Sequence, residues 1–306
     1  MQNILQLRPV DRKRIDSLQE RAENPLTADN IGYVHTVFSQ CFLPYRDPKT
    51  PHWKRKNGNY SILLTAGILD DPSDPTEIVQ LGLPYGAKPR LFQSYVCTRA
   101  IKQKSRVIPV ARSMTKMIHE LGFSATGGKQ GTISGFKEQI IRFARARFDI
   151  VIAISEGKQR YIKAEPIESF EVWFAPNADQ HSFWPSEIVL TEQFYENLRE
   201  HAIPYDFRAM HAIQNKPRAI DAYLWSTQRA YRIPHNKPLL MRWKELHEMF
   251  GGELSLKHFK VKFPKDLLAA KTAYPELRVE EHREGYIFRQ SPPPVPKTQV
   301  VIPNPL

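Results

Sequence analysis

GGKQGTISGFKEQIIRFARARF, residues 127–148, carries the reading of the fold. Ile133, Phe136, Ile140, Phe143 and Ala144 recur at spacings of three and four, the period of one face of an α-helix. Ser134, Gly135, Glu138, Arg142 and Arg145 fall on the opposite side, with Lys137 and Ile141 at the borders. The spacing predicts a helix over Thr132–Arg147 with one stripe holding it to its domain and the other turned to a polar surface. Gly127, Gly128 and Gly131 ahead of it let the backbone pass close to a phosphate, and Lys129 and Gln130 carry donors suited to a duplex.

Downstream, Asp149–Ser155 and Gln159–Phe174 are β-rich and meet at Glu156-Gly157-Lys158, where Gly157 suits a tight hairpin. Lys158 and Arg160 on that hairpin occupy the place of a wing. Upstream lie a helix over Lys88–Lys102, a short extended piece over Val107–Val110, and a short helix capped by Ser113 and stopped by Gly122.

The same order returns further along: short helices over Thr191–Glu200 and Phe207–Gln214, a helix opened by Pro217 and running to Tyr231, and a short one over Trp243–Phe250. A helix over Leu256–Tyr274 then precedes a hairpin of Leu277–His282 and Tyr286–Arg289. That helix sets Lys257, His258, Lys260, Lys262 and Lys265 around Leu256, Phe259, Phe263 and Leu267. Pro264 inside it would cost about 3 kcal/mol, so either the helix kinks there or a new one begins with Pro264 at its first position.

The expected class is α+β, mostly α, with winged-helix domains in tandem over 82–185 and 186–291. A small mixed N-terminal region, 1–81, holds a helix over Val10–Glu23 and strands over Tyr33–Phe38 and Tyr60–Ala66, and closes in the acidic linker DDPSDPTE at 70–77. A Pro-rich tail, 292–306, is extended, and its Val300, Val301 and Ile302 could pack on a partner subunit or on the chain itself.

Charge points to the partner. The chain has a net charge of +12, and residues 84–148 hold thirteen Lys and Arg against only Glu120 and Glu138. A block this one-sided attracts a polyanion, and double-stranded DNA is the expected partner. On the Thr132–Arg147 helix, Gln130, Thr132, Ser134 and Glu138 are the candidates for base edges and Arg142 and Arg145 for phosphates, with Lys129 and Lys137 as further DNA-binding residues. Lys257, His258, Lys260, Lys262 and Lys265 extend the same role to the second helix, and Lys158 and Arg160 to the wing.

Other classes lack their residues. No apolar run is long enough for a membrane span, the N-terminus has no secretory pattern, and Cys41 and Cys97 fit neither a metal site nor a disulfide framework, so a cytoplasmic setting is expected. GFSATGGKQ, residues 122–130, fails as a nucleotide loop because Lys129 is one place late and is followed by Gln130. No His-x-His pair supports a nicking metal site, and Asp70, Asp71 and Asp74 sit among prolines as a solvated turn. No enzymatic activity, metal or cofactor is expected.

LGLPYGAKPRLFQSYVCTRAIKQKSRVIPV (81–110), GGKQGTISGFKEQIIRFARARF (127–148), HAIPYDFRAMHAI, RAIDAYLWSTQRAYRI, AYPELRVEEHREGYIF and SPPPVP resemble, in order, the plasmid-encoded RepA replication-initiator family. FLPYRDP and WKRKNGNYSILLTAG echo it more weakly upstream, and Pro264 departs from it. The resemblance implies binding to repeated sites at a plasmid origin, local melting, and recruitment of host replication proteins such as a helicase or initiator. It also implies repression of the chain's own gene, often as a dimer with itself. A winged-helix transcriptional regulator without origin function is the alternative that the same groove chemistry allows.

Overall fold

The computed structural model describes residues 23–71, 74, 76–109, 114–128, 130–156, 158–170 and 187–296. The strands are β1 (Ile31–His35), β2 (His52–Asn57), β3 (Tyr60–Thr65), β4 (Ile68–Asp70), β5 (Ile78–Gln80), β6 (Val107–Pro109), β7 (Arg147–Ser155), β8 (Lys158–Ala164), β9 (Ile167–Phe170), β10 (Glu187–Leu190), β11 (Ala202–Asp206), β12 (Leu239–Arg242), β13 (Val279–His282) and β14 (Gly285–Phe288). The helices are α1 (Ala87–Gln103), α2 (Met114–Glu120), α3 (Thr132–Arg145), α4 (Glu192–His201), α5 (Phe207–Ala212), α6 (Pro217–Arg229), α7 (Trp243–Phe250) and α8 (Leu256–Ala273). Among the described residues they form two compact units, one within 40–202 and the other of residues 23–39 with 203–296.

In the first unit, β2, β3, β7 and β8 form an antiparallel sheet in that order. Strand alternation turns Ile62, Leu64, Phe148 and Ile150 to the buried face, with Arg55 and Asn57 of β2. Arg55 is tolerated there because its guanidinium lies 5.0 Å over the Tyr45 ring and 4.6 Å over Trp53. Edge-to-face contacts of Phe143 with Phe92 (5.9 Å) and Phe148 (5.4 Å) fasten α3 to α1 and to the sheet. Arg90, 4% exposed, is held by carbonyls: one nitrogen donates to Leu43 (2.6 Å), another to Pro44 (3.2 Å) and Gly86 (2.6 Å).

Sequence expectation and structure part company at three places here. HWKRKN, residues 52–57, is a strand that period-2 hydrophobicity does not reveal, since its inward positions are Arg55 and Asn57. The acidic stretch at 70–77 is no linker: β4 and β5 pair antiparallel on either side of it, so it closes a hairpin inside one unit. The long strand expected over Gln159–Phe174 is two strands separated at Glu165-Pro166, as Pro lacks the N–H a ladder needs; β9 joins β10 and β6 in a separate sheet. Residues 10–22, Ser113 and residues 171–186 lie outside the described residues.

The second unit combines residues 23–39 with residues 203–296, so the described part of 1–81 is divided between the two units. β1 pairs with β11, and Gly32 lets the buried Tyr205 ring lie directly on the strand: a Cβ there would stand 2.3 Å from its Cζ. The expected strand over Tyr33–Phe38 ends at His35 and gives way to a 3₁₀ turn over Thr36–Ser39. Helix α6 is buried from Ala219 to Gln228. β12, β14 and β13 form an antiparallel sheet in that order beside α7 and α8.

Helix α8 runs unbroken through Pro264. Pro264 removes the N–H that would bond the Lys260 carbonyl, but the neighbouring Phe263 stacks on Phe259 (4.8 Å) and Phe250 (5.3 Å) and meets Tyr286 edge-on (6.0 Å). Burial of two phenylalanines, each worth about 1.5–3 kcal/mol, offsets a local penalty of about 3 kcal/mol. The start of the Pro-rich tail is docked: Tyr274 Oη donates to the Pro292 carbonyl (2.5 Å), the Ser291 N–H donates to Ala230 (3.3 Å), and Val295 is 2% exposed. Val300, Val301 and Ile302 lie outside the described residues.

Gly32→Ala should destabilise the second unit by about 1–3 kcal/mol, as overpacking does when the opposing side chain is itself locked. Thermal unfolding followed by circular dichroism reads this as a lower midpoint; an unchanged midpoint would show that Tyr205 can yield.

Candidate nucleic-acid interface

Two helices were expected to face a duplex, and their environments differ. Helix α8 opens at Ser255, whose Oγ accepts the His258 N–H (3.4 Å) and lies 3.0 Å from His258 Nδ1. Phe259, Phe263, Leu267, Ala270 and Ala273 are buried at helical spacing, so the opposite side must face solvent. Lys257, His258, Lys260, Lys262 and Lys265 are all exposed there. The one acid of the helix, Asp266, turns inward, where Arg218 Nη1 meets it at 2.9 Å. Among the described residues no carboxylate forms an ion pair with the four lysines; Lys260 Nζ lies 5.7 Å over the Trp243 ring.

Val261 and Leu268, 66% and 61% exposed, stand on the same solvent side. They were not among the expected site residues. The available signal was their displacement from the stripe of Phe259, Phe263 and Leu267.

Helix α3 is the more constrained. Its N-terminal loop is tied by a reciprocal clasp in which the Thr126 N–H donates to Thr132 Oγ1 (2.8 Å) and the Thr132 N–H to Thr126 Oγ1 (3.0 Å). Thr132 Oγ1 also donates to the Ser124 carbonyl (2.7 Å), and Ser134 Oγ to Gly131 (3.0 Å) and Gly128 (3.1 Å). Gly128 sits at φ 87°, and a Cβ on Gly131 would come within 2.2 Å of the Thr126 carbonyl oxygen, so the turn needs both glycines. Thr132 and Ser134 therefore shape the loop, while Gln130 and Glu138 are exposed and Lys137 is half-buried. Lys129 lies outside the described residues, as does the side chain of Arg160. Lys158 is exposed at the start of β8, near Tyr161, whose ring is 75% exposed.

Arg142 and Arg145, expected to meet phosphates, both have partners within the chain, Arg142 half-buried and Arg145 exposed. Arg142, 15% exposed, pairs with Glu138 (2.6 Å) and Asp47 (3.3 Å) and donates to the Leu83 carbonyl (3.2 Å). Arg145 donates through Nε and Nη2 to the Ile68 carbonyl (3.2 and 3.0 Å). The β4–β5 hairpin supplies the partner of Arg145, whereas Arg142 is held from Asp47, Leu83 and its own helix. A cleft of about 270 Å³ between this hairpin and α3 is lined by Leu69, Val79, Glu138, Ile141 and Arg142. A guanidinium presents several donors in a fixed fork, so carbonyls and carboxylates of the same unit capture it.

The charges respond to these surroundings. Burial pushes the Asp47 carboxyl up, but hydrogen bonds from the Lys49 backbone and side chain and from Arg142 outweigh it and hold it below its usual value. Burial lowers Lys88 on α1, against a partial opposing pull from Glu138. Its Nζ occupies the space beside Gly135 and sits 5.5 Å over the Phe136 ring. Among the described residues no helix is long and apolar enough to cross a membrane, and no group of three or more His, Cys, Asp or Glu is placed to hold a metal.

Comparison with known proteins gives matches of two kinds. Residues 83–244 match the family model described as plasmid encoded RepA protein. Among solved structures, the crystal structure of domains 2 and 3 of RctB is similar, with a TM-score of 0.51 and 13% identity, covering 81% of this chain and 95% of that one. At that identity the likeness concerns the fold alone. No curated protein matches the sequence.

Arg142→Ala should lower stability at neutral pH by about 1–3 kcal/mol, because Asp47 is left half-sheltered without its guanidinium. Asp47 has a lowered folded-state pKa, so its contribution is present above the unfolded value of about 3.9 and is lost as pH falls through the folded one. Denaturant unfolding of wild type and variant should therefore converge in the acid range; a gap unchanged down to about pH 2 would assign the loss to packing alone.

Proposed function

The chain belongs to the plasmid-encoded RepA replication-initiator family, and from that membership we propose that it binds repeated double-stranded sites at its plasmid origin through the solvent face of α8. The observation that carries this reading is the set of Lys257, Lys260, Lys262 and Lys265, exposed on one helix and unmatched by any described carboxylate. Cations left unpaired on a helix can displace counterions from a duplex, which is the sequence-independent part of affinity.

Element order supports the architecture. α1–β6–α2–α3–β7–β8 and α6–β12–α7–α8–β13–β14 each run helix, strand, helix, helix, hairpin, the order of a winged helix, whose third helix enters the major groove. The sheet order β12-β14-β13 closes the second copy on its own strands, whereas in the first β6 pairs with β10, and β7 with β3. In this reading α8 is the main groove helix. The first copy contributes Gln130, Lys137, Glu138 and the wing residue Lys158, and Thr132 and Ser134 act by holding the loop.

Binding at repeats concentrates protein on one stretch of duplex, and local melting with recruitment of host replication proteins follows as its role there. Repression of its own gene would use the same face, with self-association as a dimer. The activity proposed is binding rather than catalysis, with no cofactor.

The test is fluorescence anisotropy on a duplex carrying the origin repeats and on a scrambled duplex, across a salt series. The repeats should bind about 10³-fold or more tightly. Lys262→Ala or Lys265→Ala should each weaken both duplexes by a similar factor and reduce the slope of log affinity against log salt by about 1. Equal affinity of wild type for both duplexes would overturn sequence reading, and an unchanged slope in both variants would remove α8 from the interface.

A further inference from the structure

We infer that Val261 reads thymine: its side chain meets the C5-methyl group of a thymine in the major groove, making α8 a base-reading helix and not only an electrostatic one. The inference rests on the proposed duplex binding and adds a specificity-determining residue to it.

Rotation of the helix leads to this assignment. With Phe259, Phe263, Leu267 and Ala270 facing the core, the line directly opposite runs Lys257, Val261, Lys265, Leu268. Lys260 lies on one flank of that line, His258 and Lys262 on the other. An outward face whose midline sets an exposed aliphatic side chain between two lysines, with further cations on its flanks, complements a major groove. Phosphates line both walls of the groove, base edges form its floor, and the midline of an inserted helix is what reaches that floor.

Val261 is 66% exposed, more than any other large aliphatic side chain among the described residues. It offers no hydrogen bond, so the donors and acceptors of guanine, cytosine and adenine give it nothing to recognise. The thymine methyl is the apolar group displayed on that floor. A β-branched side chain is stiff at χ1, so Val261 presents its methyls in a preset direction and loses little freedom on contact. Lys257 and Lys265 stand one turn away on either side, about 6 Å along the axis, where they can anchor the helix while Val261 touches the floor.

Selection from random duplexes with the full chain would first define the bound sequence, and each thymine in it would then be replaced singly by deoxyuridine. Wild type should lose roughly three- to fivefold in affinity at one thymine or one adjacent pair, the effect of a single buried methyl. Val261→Ala should bind the thymine duplex more weakly, keep the wild-type salt slope, and lose its sensitivity to deoxyuridine at that position alone. Val261→Thr retains one methyl and the β-branch and should keep part of that sensitivity. Circular dichroism should give both variants the wild-type melting midpoint, since the side chain is exposed.

If every deoxyuridine penalty persists unchanged in Val261→Ala while Lys262→Ala still lowers the salt slope, the duplex reading stands and the thymine contact is refuted. If no sequence is enriched and the lysine variants leave duplex binding intact, the duplex reading itself fails. If Val261→Ala instead abolishes binding to phosphatidylglycerol vesicles and leaves duplex affinity untouched, the face serves an anionic lipid surface and the inference is overturned.

Discussion

The stacking of Phe259 on Phe263 and of Phe263 on Phe250, with Trp243 edge-on to Phe259 and Tyr286 edge-on to Phe263, sets the rotation of α8, and the proposed duplex-facing surface depends on that angle. A helix free to roll by one residue, about 100°, would turn Lys257 toward the core and Phe263 out of it. The aromatic cluster forbids this because rings of that size fit only one set of gaps between α7, α8 and the β12-β14-β13 sheet. Arg218 adds a second, polar lock, with Nη1 on Asp266 and Nε on the Phe250 carbonyl (2.7 Å). The acid that might have neutralised the outer face is thereby held at the inner one.

Arginine and lysine divide the cationic work of this chain. Arg90 is held by three carbonyls, and Arg142 by two carboxylates and a carbonyl. Arg208 grips Asp206 and the Asn24 carbonyl, and Arg218 closes the base of α8. Each is more than four-fifths buried or nearly so, and each depends on several donors in fixed geometry, which an ammonium cannot supply. The lysines of α8 are point charges on long flexible stems, suited to following a phosphate wall rather than to bracing a fold. Net charge alone conceals this division. The surplus in residues 84–148 marks a basic region, yet Arg90 and Arg142 within it are spent on internal contacts and Lys88 is drawn onto the Phe136 ring.

How much could be read from the sequence follows from this. Helices with a continuous apolar stripe were legible nearly to the residue: Trp243–Phe250 is the helix expected, and Leu256–Tyr274 ends one residue earlier than expected. The hairpin at Gly285 was legible because its turn chemistry is local. Strand β2 was not, because it buries Arg55 and Asn57, and what rescues them is a tyrosine ring and the Gln40 carbonyl, more than nine residues away in the chain. The β4–β5 hairpin was not, because two three-residue strands around a Pro-rich acidic turn have the composition of a linker. The solvent face of α8 was half legible. Its lysines stood out by charge, whereas Val261 could be assigned to that face only once the burial of Phe263 and the continuity of the helix through Pro264 fixed the rotation.

The two third helices share a place in the element order but not the same freedom. On α3 the exposed Arg145 bonds to the Ile68 carbonyl of the β4–β5 hairpin, Arg142 is engaged by Asp47, Glu138 and Leu83, and the turn of that hairpin is acidic, with Asp70, Asp71, Asp74 and Glu77. A duplex approaching this side would meet carboxylates before cations, so its backbone would be repelled there rather than drawn in. Among the described residues no carboxylate is ion-paired with the lysines on the outer face of α8. A single pattern of helix, strand, helix, helix and hairpin therefore supports two different surfaces. The part of the sequence with the densest positive charge is consequently not the part with the most available charge, which is why the proposed duplex contact is placed on residues 256–268 rather than on residues 127–148.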